Sequence, residues 1–356
     1  MILEPNNIIS EDLNLITQSL LPWFKFSDKT IMVTGGGGFI GSYLVKSLLH
    51  IGEKFDLNLR VICVAREIES VNTRLFNYLY LKNFEVFLHD FSFPLPEDFP
   101  IADFIIHAAS KASPKFYGVD PVGTLLPNSI GTMYLLNHAL ISKSKKFLFI
   151  SSSEVYGNPI NSESLVNEKD YGYLDPMDLR SCYAESKRLG ETMTVAWGSQ
   201  YDIHSNVVRP FHTYGPGLFL NDGRVYADFV SDVVNNRDIV LKSDGSAQRS
   251  FCYVSDVVIG ILTVLLNGKK NEAYNVGNPA TVLAIEDLAS ILVNLFPKKK
   301  LKVKFKMNTE NVNYLKSPVT RCCPSIEKLK ALGWSPKIGI EEGFNRTIKS
   351  FVIKKE

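Results

Sequence analysis

Thr30-Ile31-Met32-Val33-Thr34-Gly35-Gly36-Gly37-Gly38-Phe39-Ile40-Gly41 is the stretch on which the fold of this chain turns. The run Thr30 to Thr34 predicts a buried strand, and Leu44, Val45, Leu48 and Leu49 beyond the glycines recur at helical spacing. Between strand and helix, glycines at 35, 38 and 41 permit a tight turn, close backbone approach to a ligand, and close packing of helix on strand. The amides of the first helical turn have no partner within the helix, and its dipole favours an anion there. Gly35, Gly38, Phe39, Ile40 and Gly41 are therefore expected to hold the pyrophosphate of a dinucleotide.

Further along, a second strand from Leu59 to Ala65 leads into Arg66-Glu67. An acid at the strand end would hold the adenosine ribose diol and repel a 2′-phosphate. Arg66 can instead pair with that phosphate, which leans the choice between NAD and NADP toward NADP, while Glu67 can still take the diol. Apolar strands are predicted from Phe84 to Leu88, leading to Asp90, and from Ile101 to Ile106, leading to Ala108 and Ala109. Asp90 is expected to accept from the adenine amino group, and the small residues Ala108, Ala109 and Ser110 to let the cofactor pass close to the backbone. A helical pattern through Ile130, Leu135, Leu136 and Ala139 precedes a strand at Phe147 to Ile150. Strands alternating with helices predict an α/β fold with a doubly wound, Rossmann-like parallel sheet, whose ligands collect beyond the carboxyl ends of the strands.

After Val207-Val208-Arg209-Pro210 the alternation becomes irregular, which predicts a smaller mixed α/β substrate-binding domain. The expected division is a helical extension at 1–26, a mainly dinucleotide-binding domain at 27–205, and a mainly substrate-binding region at 206–356 that crosses back to the first. Ile9, Leu13, Ile16 and Leu20 predict a helix ended by Pro22, packed on the main domain or on a partner subunit. Residues 286–296 read as an amphipathic helix, and the tail from Lys349 to Glu356 as loosely ordered.

Composition narrows the function. The 356 residues are 45% apolar and 21% charged with a formal net charge of +2, ordinary for a soluble protein and without the basic stripe of a nucleic-acid binder. No apolar run approaches the roughly 18 residues that a membrane span needs. Glu4, Glu11 and Asp12 near the start do not make a signal peptide. Five cysteines without C-x-x-C spacing predict a reduced, cytoplasmic protein, and no metal ligands are expected.

The chemistry is expected between Ser151 and Lys187. Ser151-Ser152-Ser153-Glu154 leaves a strand end, and Tyr183 and Lys187, four apart, share one helix face. Tyr78 and Lys82 repeat that spacing, but they fall between the second and third strands, where Tyr78 would pack or face solvent. Ser152, Glu154, Tyr183 and Lys187 are the candidate catalytic residues, with Tyr183 and Lys187 also reaching the cofactor. Lys111, Ser153, His212, Arg224 and Arg249 are the candidate substrate ligands, the arginines being suited to a diphosphate.

Several of these stretches together resemble the extended short-chain dehydrogenase/reductase family, enzymes that modify nucleotide sugars. They are Thr34 to Gly41, His107-Ala108-Ala109, Asn128 to Thr132, Ser151 to Gly157, Tyr183 to Lys187, Arg209-Pro210 and Tyr253 to Asp256. Within that family, Ala112 to Tyr117, Ser152 to Gly157, Asn221 to Val225 and Gly277-Asn278-Pro279 look most like UDP-glucuronate decarboxylases. There are three departures. Ala65-Arg66 replaces an acid, His212 stands where an Asn that helps hold the substrate diphosphate is usual, and Lys111 where a proline is.

The resemblance implies a tightly bound, recycled nicotinamide cofactor and a nucleotide-sugar substrate. Tyr183, its pKa lowered by Lys187 and the oxidised nicotinamide, would take the proton of the sugar 4-hydroxyl while Ser152 orients that oxygen. Glu154 would position the sugar or manage protons. A 4,6-dehydratase commonly carries an Asp where Ser153 stands, which favours decarboxylation to a UDP-pentose. A 4,6-dehydratase or a 4-epimerase is the alternative, and a non-catalytic dinucleotide sensor the remote one. Helices containing Asn128 to Leu140 and Tyr183 to Trp197 are expected to form a homodimer.

Overall fold

The structure is a computed structural model that describes residues 4–159, 164–306 and 319–352. Six strands open the chain: β1 (Thr30–Thr34), β2 (Arg60–Ala65), β3 (Phe84–Leu88), β4 (Phe104–His107), β5 (Lys146–Ile150) and β6 (Ser205–Pro210). Seven more follow among the described residues as β7 (His212–Tyr214), β8 (Ile239–Leu241), β9 (Gln248–Tyr253), β10 (Glu272–Val276), β11 (Val282–Ala284), β12 (Val303–Phe305) and β13 (Arg321–Cys322). The helices are α1 (Asn7–Thr17), α2 (Phe39–Lys54), α3 (Ile68–Leu75), α4 (Pro121–Asn128), α5 (Ile130–Ile141), α6 (Ser181–Gln200), α7 (Val225–Val234), α8 (Val254–Asn267), α9 (Ile285–Leu295), α10 (Glu327–Lys330) and α11 (Ile340–Val352).

A seven-stranded sheet runs β3-β2-β1-β4-β5-β6-β10, parallel throughout. Strands covered on both faces need apolar side chains on both, and alternate residues feed two cores. Ile31 and Val33 of β1 enter one with Leu44 and Leu48 of α2 and Ile261 of α8. Met32 enters the other with Phe147 and Phe149 of β5 and Leu135 and Leu136 of α5. The order reverses between β1 and β4, so their carboxyl ends part and leave a crevice. A four-stranded group of β7, β9, β11 and β13, and the pair β8 and β12, lie outside this sheet.

Several boundaries differ from the expected ones. β4 begins at Phe104, not Ile101: Ile101 is exposed, and the Asp103 carboxylate accepts from the Thr30 amide, closing the sheet edge there. α1 ends at Thr17, before Pro22, and Leu20 lies outside it in full solvent exposure. Its apolar face, Ile9, Leu13 and Ile16, joins the main core of this same chain. The buried Asp12 accepts from Tyr43, Tyr253 and Arg346, at 3.1, 2.9 and 2.7 Å, and so ties α1 to α2, β9 and α11.

Lys349 to Val352 belong to α11, with Ile348 and Ser350 buried, so the tail is ordered that far; residues 353–356 lie outside the described residues. Tyr78 is buried in a short turn of helix and donates to Glu4. Among the described residues no helix is long and apolar enough to cross a membrane, and no group of His, Cys, Asp or Glu is arranged to hold a metal.

Candidate active site

A cleft of about 480 Å³ opens at the carboxyl ends of β1, β2, β4, β5 and β6. Its floor is the glycine turn. Gly35 has φ +66°, and a Cβ there would lie 2.7 Å from the Ala108 carbonyl oxygen; a Cβ on Gly41 would collide with the Gly35 carbonyl. The turn is therefore drawn against β4 and α2 as closely as backbones allow. Gly38 precedes α2 in the cap position and has no side chain, so the first-turn amides are not claimed by a capping side chain. His107 donates from Nε2 to the Pro127 carbonyl (3.1 Å) and accepts at Nδ1 from Thr34 (2.8 Å), fixing β4 against β1 and α4. Burial, reinforced by the Lys187 charge, lowers the His107 pKa to about 3, so the ring is neutral.

Gly35, Gly38, Phe39, Ile40, Gly41, Arg66, Asp90, Ala108 and Ala109 all line the cleft. Ser110 lines it too, and its buried Oγ has no protein partner, as a ribose hydroxyl or phosphate would require. The glycine cradle, the open helix start and this orphaned hydroxyl fit a dinucleotide.

Ser152, Glu154, Tyr183 and Lys187 converge on the same cleft from the loop after β5 and from α6. Tyr183 is 4% exposed, and its ring stacks on Tyr117 at 5.1 Å between centroids and 14° between planes. Burial raises its pKa to about 12, with a Ser152 hydrogen bond acting in the opposite direction. Lys187 donates to the Ile150 carbonyl at 2.6 Å and lies 4.7 Å from the Phe149 ring centroid; burial lowers its pKa to about 7. The expected lowering of Tyr183 by Lys187 is thus not present in this arrangement. Burial dominates both groups, and the ammonium is directed to a backbone carbonyl.

Glu154 is gripped by Arg180, whose Nη1 and Nη2 lie 3.0 and 3.4 Å from the two carboxylate oxygens. Arg180 is nearly buried and the carboxylate partly so. On the far side of Lys187, Glu191 accepts from Ser151 at 2.6 Å and forms a two-pronged pair with the buried Arg209. Sequence reasoning missed Arg180, Tyr117 and Glu191, and read Ser110 only as a small residue beside the cofactor, not as a hydroxyl partner for it. Spacing alone signalled two of them: Glu191 repeats the four-residue step of Tyr183 and Lys187, and Arg180 stands one helical turn before Tyr183.

Four of the five candidate substrate ligands line the cleft: Lys111, Ser153, His212 and Arg224. Lys111 pairs with Asp120. His212 is held neutral by burial, and its Nδ1 has no protein partner. Arg224 donates to the Ala112 carbonyl at 2.8 Å and to Tyr226 at 3.1 Å. Together with Lys115 on the Asn221 carbonyl (3.0 Å), it fastens the loop after β4 to the one before α7. Arg249 stands apart: it does not line the cleft, and its guanidinium donates to the carbonyls of Gln248, Val319 and Thr320.

Comparison with known proteins gives concordant results. The model of the NAD dependent epimerase/dehydratase family matches residues 31–277. UDP-glucuronic acid decarboxylase 6 of Arabidopsis thaliana is 36% identical over 332 residues, covering 93% of this chain and 91% of that protein. UDP-glucuronic acid decarboxylase 1 of Danio rerio is 34% identical over 91% of this chain and 72% of its own.

Among solved structures, the dTDP-glucose 4,6-dehydratase DesIV of Streptomyces venezuelae, with NAD and TYD bound, superposes with a TM-score of 0.78 at 23% identity, covering 92% of this chain and 98% of that one. The UDP-glucuronic acid 4-epimerase of Bacillus cereus, in complex with UDP-glucuronic acid and NAD, gives 0.76 at 21% identity, covering 91% and 99%. At such identities the structural likeness establishes the fold.

Proposed function

The chain belongs to the NAD dependent epimerase/dehydratase family, and from that premise we propose that it is a nucleotide-sugar enzyme that oxidises C4 of UDP-glucuronate and releases its carboxylate, giving a UDP-pentose. The observation that carries this reading is a Ser152, Tyr183 and Lys187 cluster with one carboxylate, Glu154, beside it and a serine at 153 where a dehydration would call on a second acid. The names of the relatives point the same way.

The glycine turn, Ala108, Ala109 and Ser110 would hold the nicotinamide dinucleotide. When bound, it supplies a reversible two-electron acceptor and a positive charge that favours the Tyr183 phenolate. Tyr183 takes the proton of the sugar 4-hydroxyl and Ser152 holds the same oxygen. A carbonyl at C4 lets the bond from C5 to the carboxyl carbon break: carbon dioxide leaves, the bond pair moves into an enolate, and a proton then enters at C5. The two electrons taken from C4 would then return to it from the reduced dinucleotide while Tyr183 gives its proton back to the oxygen, so that the product is the pentose and not its 4-ketone. Glu154, fixed by Arg180, positions the sugar for that exchange. His212, neutral, and Arg224 face the diphosphate.

Incubation with UDP-glucuronate should release carbon dioxide and a UDP-pentose, detected by mass spectrometry. Turnover of a neutral hexose nucleotide with UDP-glucuronate left intact would replace this reading with a 4,6-dehydratase or 4-epimerase. We further propose a homodimer through α4, α5 and α6, supported by the exposed Val122, Leu125, Ile130, Leu189 and Val195 on those helices. The five unpaired thiols support a cytoplasmic setting.

A further inference from the structure

We propose that Arg66 and Lys111 form a site for a phosphate on the 2′-oxygen of the adenosine ribose, which makes the chain selective for NADP(H) over NAD(H). The inference rests on the reading of the cleft as a dinucleotide site, and not on which sugar is transformed.

Both cations line the end of the cleft where β2, β3 and β4 deliver Ala65, Asp90 and Ser110. β2 closes on Ala65, so no carboxylate occupies the strand end that would take both ribose hydroxyls. The nearest acid, Glu67, is engaged at 2.9 Å by Arg66 Nε. Lys111 reaches the same region from the loop after β4, where it pairs with Asp120. The two cations act together on that residue. Lys111, hydrogen-bonded to it, holds the Asp120 carboxyl below its ordinary range, and the Arg66 charge adds to the effect.

Each cation is therefore balanced by a carboxylate that is itself well exposed, Glu67 at 58% and Asp120 at 41%. Exposed pairs of this kind are weak and easily exchanged. A phosphate dianion offers three acceptor oxygens to a planar guanidinium and an ammonium at once, a better match than either monoanion. The first turn of α3 borders the same cleft through Ser70, and no side chain caps that helix start, which favours an anion there.

The test uses the full chain freed of nucleotide, titrated calorimetrically with NADP+, NAD+, adenosine 2′,5′-bisphosphate and AMP. The 2′-phosphorylated member of each pair should bind about tenfold or more tightly. The Arg66→Ala, Lys111→Ala double variant should erase the difference by weakening only that member, and Arg66→Glu should reverse it. Equal affinities, or a preference for NAD+, in the parent chain would overturn the proposal even if both variants failed to fold. That result would leave the sugar chemistry standing, whereas NADP+ selectivity without turnover of UDP-glucuronate would overturn the proposed reaction alone.

Discussion

Arg180 offers the sharpest handle at the level of single residues, because it holds the Glu154 carboxylate with both terminal nitrogens. Replacing it by Gln should cut kcat about 10²-fold, as misplacing a reacting group by an ångström does, with KM changing much less. Arg180→Lys should recover part of that loss, which a purely structural defect would not. Tyr183→Phe should lower kcat about 10²- to 10⁴-fold in the same assay while the cleft still binds dinucleotide. Lys187 gives a pH signature. Its pKa falls from the ordinary 10.5 to about 7 on folding, so the unfolded chain binds the extra proton between those values and stability rises with pH across the window. Lys187→Met removes that penalty. Its gain in thermal midpoint over the parent should be largest near and below pH 7 and fade toward pH 10.5. Tyr183 and Lys187 were legible in the sequence because a helix fixes what a four-residue spacing means. Spacing put Arg180 one turn before Tyr183 but could not give its role, since that depends on a carboxylate 26 residues away across a loop.

Elements were legible to the extent that their stability is local. The glycine turn declared itself because its strand, its turn and its helix all lie within one short run, although Ala108 of a distant segment adds to what keeps Gly35 a glycine. Gly41→Ala would drive a methyl into the Gly35 carbonyl, and it should abolish the thermal shift produced by dinucleotide while the rest of the sheet still folds. The helical period of α1 was equally plain. Its early end and its docking surface were not, because Asp12 is claimed by Tyr43, Tyr253 and Arg346 from three distant segments. Asp12→Ala leaves the Arg346 guanidinium without its buried partner, and a loss of about 3–5 kcal/mol in urea unfolding is expected. Arg249 on β9 follows the same logic: it looked like a diphosphate ligand, yet its guanidinium is engaged by the backbone carbonyls at 319 and 320, seventy residues further along the chain.

For the whole molecule, sequence alternation predicted a parallel doubly wound sheet but not its far edge, since β10 pairs with β6 only after a detour of more than sixty residues through β7, β8 and β9. Light scattering at micromolar concentration should give twice the mass of the 39.9 kDa chain; a monomeric mass would remove the proposed α4, α5 and α6 interface. One long-range tie also bears on how the molecule is made. Asp12 and Arg346 are separated by 334 positions, and Asn6 donates to the Ser350 carbonyl across an even longer span. At ribosomal speeds of about 5–20 residues per second, the first helix is synthesised tens of seconds before the groups that balance its acid and close over it. Within that interval α2 and α8 can already cover Ile9, Leu13 and Ile16, but Asp12 lies beside Tyr43 and Tyr253 with no guanidinium to balance it, so a chain released before α11 emerges would carry an acid buried without its counter-charge and would hold its first helix loosely.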